Sequence, residues 1–227
     1  MKHLKGALAL VVILSGIFYS CKKGANEKLE GNNEPVSDYM STKAGSWWLY
    51  GANDGTITRR RATGIDSVML GRVYNYYETT DTVSQHVTPE YFGKNSDKFL
   101  MLVDLDGNQS NYMNVVVQKD NPQVGDSWSN TGDITYSGMK FDLLAEGEIV
   151  AVEGAMSING HTYTHVVEVN NVLKAKPLLF PTYTNCGTVR MWFQKGIGIL
   201  KADYDISISS FFSKQYTDSL LDYHIQE

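Results

Sequence analysis

Ser46-Trp47-Trp48-Leu49-Tyr50-Gly51, then Ala52-Asn53-Asp54-Gly55, then Thr56-Ile57-Thr58-Arg59-Arg60-Arg61-Ala62: this stretch decides the fold. Its two outer runs are rich in aromatic and β-branched residues, and Asp-Gly between them supplies the positive φ angles of a tight turn. That is the signature of an antiparallel hairpin. Working outward, period-two alternation continues through Asp66–Glu78, Lys98–Asp104, Tyr112–Lys119, Ile134–Leu143, Glu146–Ser157, Thr162–Val169, Thr188–Gln194, Gly198–Tyr204 and Ser219–Ile225. Asp106-Gly107 and Asn159-Gly160 mark two further hairpins. No stretch has helical periodicity bounded by caps; Lys214–Tyr223 permits a short helix or a last strand. The chain reads as mostly β.

A fainter pattern overlies the alternation. Gly45-Ser46-Trp47 is echoed by Gly125-Asp126-Ser127-Trp128, and each is followed by a strand opening Gly-x-x-Tyr, at Gly71–Tyr74 and Gly160–Tyr163. The spacings differ, so the echo reads either as a duplicated β-unit with insertions or as similar turn chemistry arising twice.

The amino terminus speaks of place. Lys2, His3 and Lys5 precede Gly6 to Ser20, which carry no charge. As a helix this run spans about 23 Å, short of the ~30 Å hydrocarbon core of a bilayer, so it reads as a signal segment rather than a span. Ser20-Cys21-Lys22-Lys23 then puts a cysteine where cleavage is expected. With Phe18 at −3 and Ser20 at −1 it resembles the lipobox of bacterial lipoproteins, which implies a diacylglycerol on the Cys21 sulfur. The division expected is signal peptide 1–20, lipidated Cys21 and flexible tether 21–44, and one β domain 45–227. The stretch Lys22 to Pro35 holds a single leucine among Gly, Asn, Glu and Lys, too little apolar surface to order itself.

The motif order resembles a class of uncharacterised β-rich lipoproteins of Bacteroidota. These pair a terse cysteine anchor with a Gly-x-x-Trp-x-Tyr opening, here Gly45–Tyr50, and close on Lys-Gly-x-Gly-x-x-Lys, here Lys195–Lys201. The resemblance implies a strongly curved antiparallel sheet, a half-barrel or barrel like the lipoprotein-carrier folds. It implies no particular activity.

Charge and cysteine use narrow the functional classes. The 227-residue chain has a formal net charge of −5, and the signal segment holds only basic charges, so the exported part is more acidic still. No nucleic-acid partner is expected. Of two cysteines one is the anchor, leaving Cys186 without an intramolecular partner and the core to hold itself by burial.

Gly196-x-Gly198 is followed by a strand rather than a helix, so it reads as a turn or bulge and not a phosphate loop. Asp104-Leu105-Asp106-Gly107-Asn108 lacks the twelfth-position acid of a calcium loop, where Val115 stands, and reads as a hairpin turn. His161 and His165 on one strand would lie about 13 Å apart, too far to share a metal. No metal site, cofactor or catalytic residue is expected. Cys186 is the one candidate nucleophile, with no base or oxyanion hole legible beside it.

Fourteen tyrosines and four tryptophans give the best lead. Neighbours on a strand face opposite ways, so Trp47 and Trp48, and likewise Tyr76 and Tyr77, cannot both face one core. Trp47, Trp48, Tyr76 and Tyr77 are therefore the candidate ligand-binding residues, against the alternative that both faces are covered. The reading is a non-enzymatic, lipid-anchored binding or accessory module of the cell envelope, with an apolar ligand or an envelope protein as its partner. Its alternatives are an envelope hydrolase using Cys186 and a structural, partner-binding lipoprotein. Lys22 at +2 and the absence of an acidic run after Cys21 favour the outer membrane and a periplasm-facing position.

Overall fold

The computed structural model describes residues 39–104, 111–136, 139–208 and 212–226. Among these, twelve strands follow in chain order: β1 Trp47–Ala52, β2 Ile57–Met69, β3 Arg72–Asp81, β4 Val87–Asn95, β5 Lys98–Asp104, β6 Tyr112–Lys119, β7 Ser127–Tyr136, β8 Met139–Ile158, β9 His161–Pro177, β10 Thr184–Gln194, β11 Gly198–Ile208 and β12 Phe212–His224. They form one antiparallel sheet ordered β6-β5-β4-β3-β2-β1-β12-β11-β10-β9-β8-β7. Every sequential pair is laddered except β6 and β7, and the first and last strands pair directly, Trp47 opposite His224. The sheet is thus a nearly closed up-and-down barrel whose seam lies in the middle of the chain.

Side chains close that seam. Trp128 Nε1 on β7 donates to the Val116 carbonyl of β6 at 2.7 Å, and the Val116 N–H donates to Asn130 Oδ1 at 3.1 Å. Both backbone groups of Val116 are met by side chains from the facing edge, which satisfies an otherwise exposed strand edge. Asn111 Nδ2 to the Asp133 carbonyl, 2.7 Å, adds a third clasp.

The mostly-β reading holds, with corrections to single strands. The expected Asp66–Glu78 is two strands joined at Leu70-Gly71, where both residues have positive φ (51° and 71°) although leucine gives no turn signal. β4 was missed because Pro89 interrupts it. Pro89 faces Glu78 on β3, while β4 pairs β5 only from Tyr91 onward, so the missing N–H falls on an unpaired side. Ile134–Leu143 bridges two strands, and Glu146–Ser157 is part of the long β8. Lys214–Tyr223 belongs to a strand, held by β11 on one side and β1 on the other. Asn159-Gly160 makes the expected tight turn (φ 49° and 82°), as does Asp54-Gly55 with Gly55 at 89°. Asp106-Gly107 and the Asp106–Asn108 cluster lie outside the described residues.

The sequence echo is a structural repeat. Gly45 and Gly125 both have positive φ, 97° and 90°. Gly45 N–H donates to Ala62 O and Ala62 N–H to Ser46 O; Gly125 N–H donates to Ile149 O and Ile149 N–H to Asp126 O. The preceding turn repeats too, Ser46 N–H to Lys43 O and Asp126 N–H to Gln123 O. The counterpart of Trp128 is therefore Trp48, β7 answers β1, and β9 with buried Tyr163 answers β3 with buried Tyr74. Each half is a six-stranded meander.

The ordered body begins before Gly45, where composition placed its start. Tyr39 and Met40 are buried; Tyr39 packs edge-on against Phe99 and Phe193, and Tyr77 Oη donates to Ser41 O at 3.0 Å. A Cβ on Gly198 would lie 2.6 Å from Met40 Cγ, so Gly198 is glycine partly to admit this residue. Residues 39–46 thereby stopper the end of the barrel that carries the β2–β3, β8–β9 and β10–β11 turns. This is called the lower end here; the β1–β2, β3–β4 and β9–β10 connections lie at the upper end. Cys21 and the rest of residues 1–38 are outside the described region.

Candidate functional site

Alternation splits the four aromatic candidates two and two. Trp48 and Tyr77 are inaccessible, their rings 6.1 Å apart, and Tyr77 meets Phe92 edge-on at 5.3 Å. Trp48 Nε1 donates to the Ile197 carbonyl at 2.6 Å, tying β1 to the turn before β11. These two form the floor of the barrel with Phe92, Phe99, Phe193 and Leu200. Trp47 and Tyr76 lie on the other face, half-buried. Trp47 sits between the Arg59 guanidinium, 4.8 Å from its centroid, and the stacked His224 ring. Tyr76 lies 5.5 Å from Tyr91, which meets Tyr112 edge-on. The sequence brought these residues into one list, and the structure separates them into a core pair and two separate surface positions.

Above the floor lies a group that sequence reasoning did not find. Arg60, the middle of three consecutive arginines, points inward from β2. Its Nε meets Glu90 Oε2 of β4 at 2.5 Å and its Nη1 donates to Tyr50 Oη at 3.3 Å. The guanidinium lies 5.0 Å from the Tyr50 ring centroid and 5.3 Å from that of Phe92. Tyr50 Oη in turn donates to the Ile199 carbonyl at 3.0 Å. Across the interior, Tyr204 of β11 and Tyr216 of β12 stack 4.2 Å apart and nearly parallel, with Asp218 beside them. One available signal was parity: Trp48 and Arg60 are direct cross-strand partners, and such partners share a face.

The electrostatics tie these groups into one cluster. Burial alone would lower the Arg60 pKa, but the Glu90 charge and its hydrogen bond, with Tyr50 and Tyr204, together outweigh it and raise the net value, so the charge is kept. Burial pushes Tyr50 up to about 12, with Arg60 opposing and Glu90 and Asp218 assisting. Tyr204 is raised by burial first and then by Asp218, and Tyr216 by burial first and then by Tyr204 and Asp218. All three phenols stay protonated at neutral pH and can donate. Arg60 and Glu90 keep 13 and 25 % of their side-chain surface exposed while Tyr50 is buried, so the cluster is mostly covered and keeps one edge open to solvent. Thr79 Oγ1, on the strand position facing Arg60, is buried without a hydrogen-bond partner among the described residues. The arrangement offers donors, acceptors and aromatic walls. It offers no activated nucleophile.

Cys186 is half-buried near the start of β10, and burial pushes its thiol pKa up, opposite to the shift of a reactive thiolate. Gly196 and Gly198 form the β10–β11 turn, with a bulge at Trp192/Phe193. Among the described residues no group of three His, Cys, Asp or Glu side chains is placed to hold a metal ion.

No protein-family profile matches the chain, and no curated protein does. Two solved structures resemble it in shape. One is a candidate lipoprotein from Parabacteroides distasonis, 10% identical, with a TM-score of 0.50, covering 84% of this chain and 100% of that one. The other is a candidate exported protein with a YmcC-like fold from Bacteroides fragilis, also 10% identical, with a TM-score of 0.41 and the same coverage. At that identity the first likeness speaks for the fold alone.

Proposed function

We propose that the chain is a lipid-anchored, non-enzymatic envelope module that binds a small amphipathic ligand at the upper end of its barrel. One observation carries this reading: the mostly buried, charged Arg60–Glu90–Tyr50 group, with Tyr204, Tyr216 and Asp218, set over an aromatic floor whose far end is stoppered by Tyr39 and Met40. A wholly apolar ligand would strand the charges of Arg60, Glu90 and Asp218 without water. A ligand with an apolar body and a hydrogen-bonding head group would not. The lipobox-like Phe18–Cys21 supports anchoring, and Lys22-Lys23-Gly24-Ala25-Asn26 supports the periplasmic side of the outer membrane. The raised Cys186 pKa tells against the hydrolase alternative.

Native mass spectrometry of the full-length chain extracted from membranes tests the binding reading. Wild type should carry a small-molecule adduct that Arg60→Gln loses while keeping its fold. A ligand-free wild type, or an adduct indifferent to Arg60, would sink it. For the anchor, Cys21→Ala should leave the membrane fraction or persist as uncleaved precursor; unchanged partition and mass would count against lipidation.

A further inference from the structure

Between β9 and β10 the chain presents Leu178, Leu179 and Phe180 to solvent, 56, 93 and 60 % exposed, bracketed by Pro177 and Pro181. Met139 beside them at the start of β8 is 57 % exposed. The exposure is built in. Phe180 N–H closes a turn onto Pro177 O at 2.9 Å, and Leu178 N–H is pinned to Lys140 O of β8 at 2.9 Å. Three consecutive exposed apolar residues on a pinned turn cost solubility and signal an unmet surface. Behind the tip stand Lys140, Lys174 and Lys176, each paired with an acid: Asp133, Glu146 and Asp142 respectively. The collar is therefore charge-balanced.

We infer that this tip is a membrane-contacting finger that seats in the interface of a zwitterionic lipid bilayer. A balanced collar neither needs nor favours anionic head groups, so attachment comes from apolar burial. The inference rests on the lipid anchor, which supplies proximity. The roughly eighteen residues from Cys21 to Tyr39 reach about 60 Å when extended, and the β9 segment paired with β10 rises only about 35 Å. The tether is long enough for the upper end to lie against the leaflet that holds the anchor. Held so close, even a weakly partitioning tip is occupied. The finger sits at the same end as the Arg60 group and would bring that end of the barrel to the lipid surface.

The test uses the full lipidated chain reconstituted in phosphatidylcholine–phosphatidylethanolamine vesicles, with Leu179→Trp as reporter. The added tryptophan should emit to the blue of a solvent-exposed one, be quenched by bromine-labelled acyl chains, and respond the same in high salt. Protein that floats with the vesicles but shows a red, unquenched reporter would overturn the finger while leaving the anchor standing. A blue but unquenched reporter with crosslinked dimers would assign the tip to a second copy and overturn the proposal too. Protein that stays out of the vesicle fraction overturns both readings.

Discussion

The first and second halves of the barrel start with the same turn and then use it differently. In β1 the indole of Trp48 and the hydroxyl of Tyr50 reach past β12 to the Ile197 and Ile199 carbonyls. In β7 the equivalent Trp128 and Asn130 reach sideways to the two backbone groups of Val116. The strand opposite differs as well. Trp48 faces Arg60, whereas Trp128 faces Gly147, where a Cβ would lie 2.2 Å from the indole nitrogen. A charged side chain in one half and the lack of any side chain in the other decide what the same tryptophan does. The first half builds a polar interior, and the second lets its indole lie flat and latch the seam. A local motif thus sets a tryptophan's position, and its cross-strand partner sets its role.

The largest effects should come from removing each tryptophan. Trp48→Ala and Trp128→Ala should each lower unfolding free energy by about 3–5 kcal/mol in urea melts. Only Trp128→Ala should speed amide exchange at Val116, since Trp128, beside Asn130, closes the seam there and Trp48 does not touch it. Equal exchange in both variants would erase the distinction between floor and latch.

Arg60→Met should cost about 3 kcal/mol, because Glu90 is left charged without its partner. Changing both together, Arg60→Met with Glu90→Leu, should recover most of that loss in the same melts. A double variant as unstable as the single one would mean that the pair holds the fold rather than furnishing a site.

Gly147→Ala should cost about 1–3 kcal/mol through overpacking against Trp128 and Asn171, whose Oδ1 would lie 2.8 Å from the new Cβ. Its near-ultraviolet dichroism should shift as the indole tilts off Val116 O. An unchanged spectrum and melt would remove Gly147 as the cause of the difference between halves.

The smallest effect expected is at Tyr50. Tyr50→Phe loses the hydroxyl's bond to Ile199 O and the longer one from Arg60, and should cost about 1 kcal/mol at pH 8. Its alkaline behaviour is more telling. Burial, with Arg60 opposing, raises the folded-state pKa to about 12, while in the unfolded chain it lies near 10. Stability is full below pH 10 and falls as pH rises from 10 to 12, because the unfolded state loses the proton first. Urea midpoints at pH 9 and 11 should therefore fall less steeply in Tyr50→Phe than in wild type. Equal slopes would place Tyr50 outside the cluster.

Much of this architecture could be read from residues near one another in the chain. Alternation and Asp-Gly or Asn-Gly turns are set by backbone sterics within a few residues, so the antiparallel β character and the β1–β2 and β8–β9 hairpins were legible. So was the opposition of Trp47 to Trp48 and of Tyr76 to Tyr77. Leu70-Gly71 and the proline-broken β4 were not, because neighbouring strands stabilise them against their own local preference. The candidate site was half legible. Parity predicted that one ring of each pair would be buried, and the Trp48–Arg60 pairing puts Arg60 on the inner face between outward-facing Arg59 and Arg61; no local signal gives its partner, Glu90 thirty residues away.

Sequence alone thus determined the β class, the β1–β2 and β8–β9 turns, the echo between halves and the lipobox-like start. Only the tertiary structure decided that β12 ladders to β1, that the seam falls between β6 and β7, that Tyr39 and Met40 stopper the lower end, and that Arg60 lies inside. The reason is range. Turn and strand preferences act over a few residues, whereas ring closure, burial and ion pairing depend on which strands the whole sheet brings face to face.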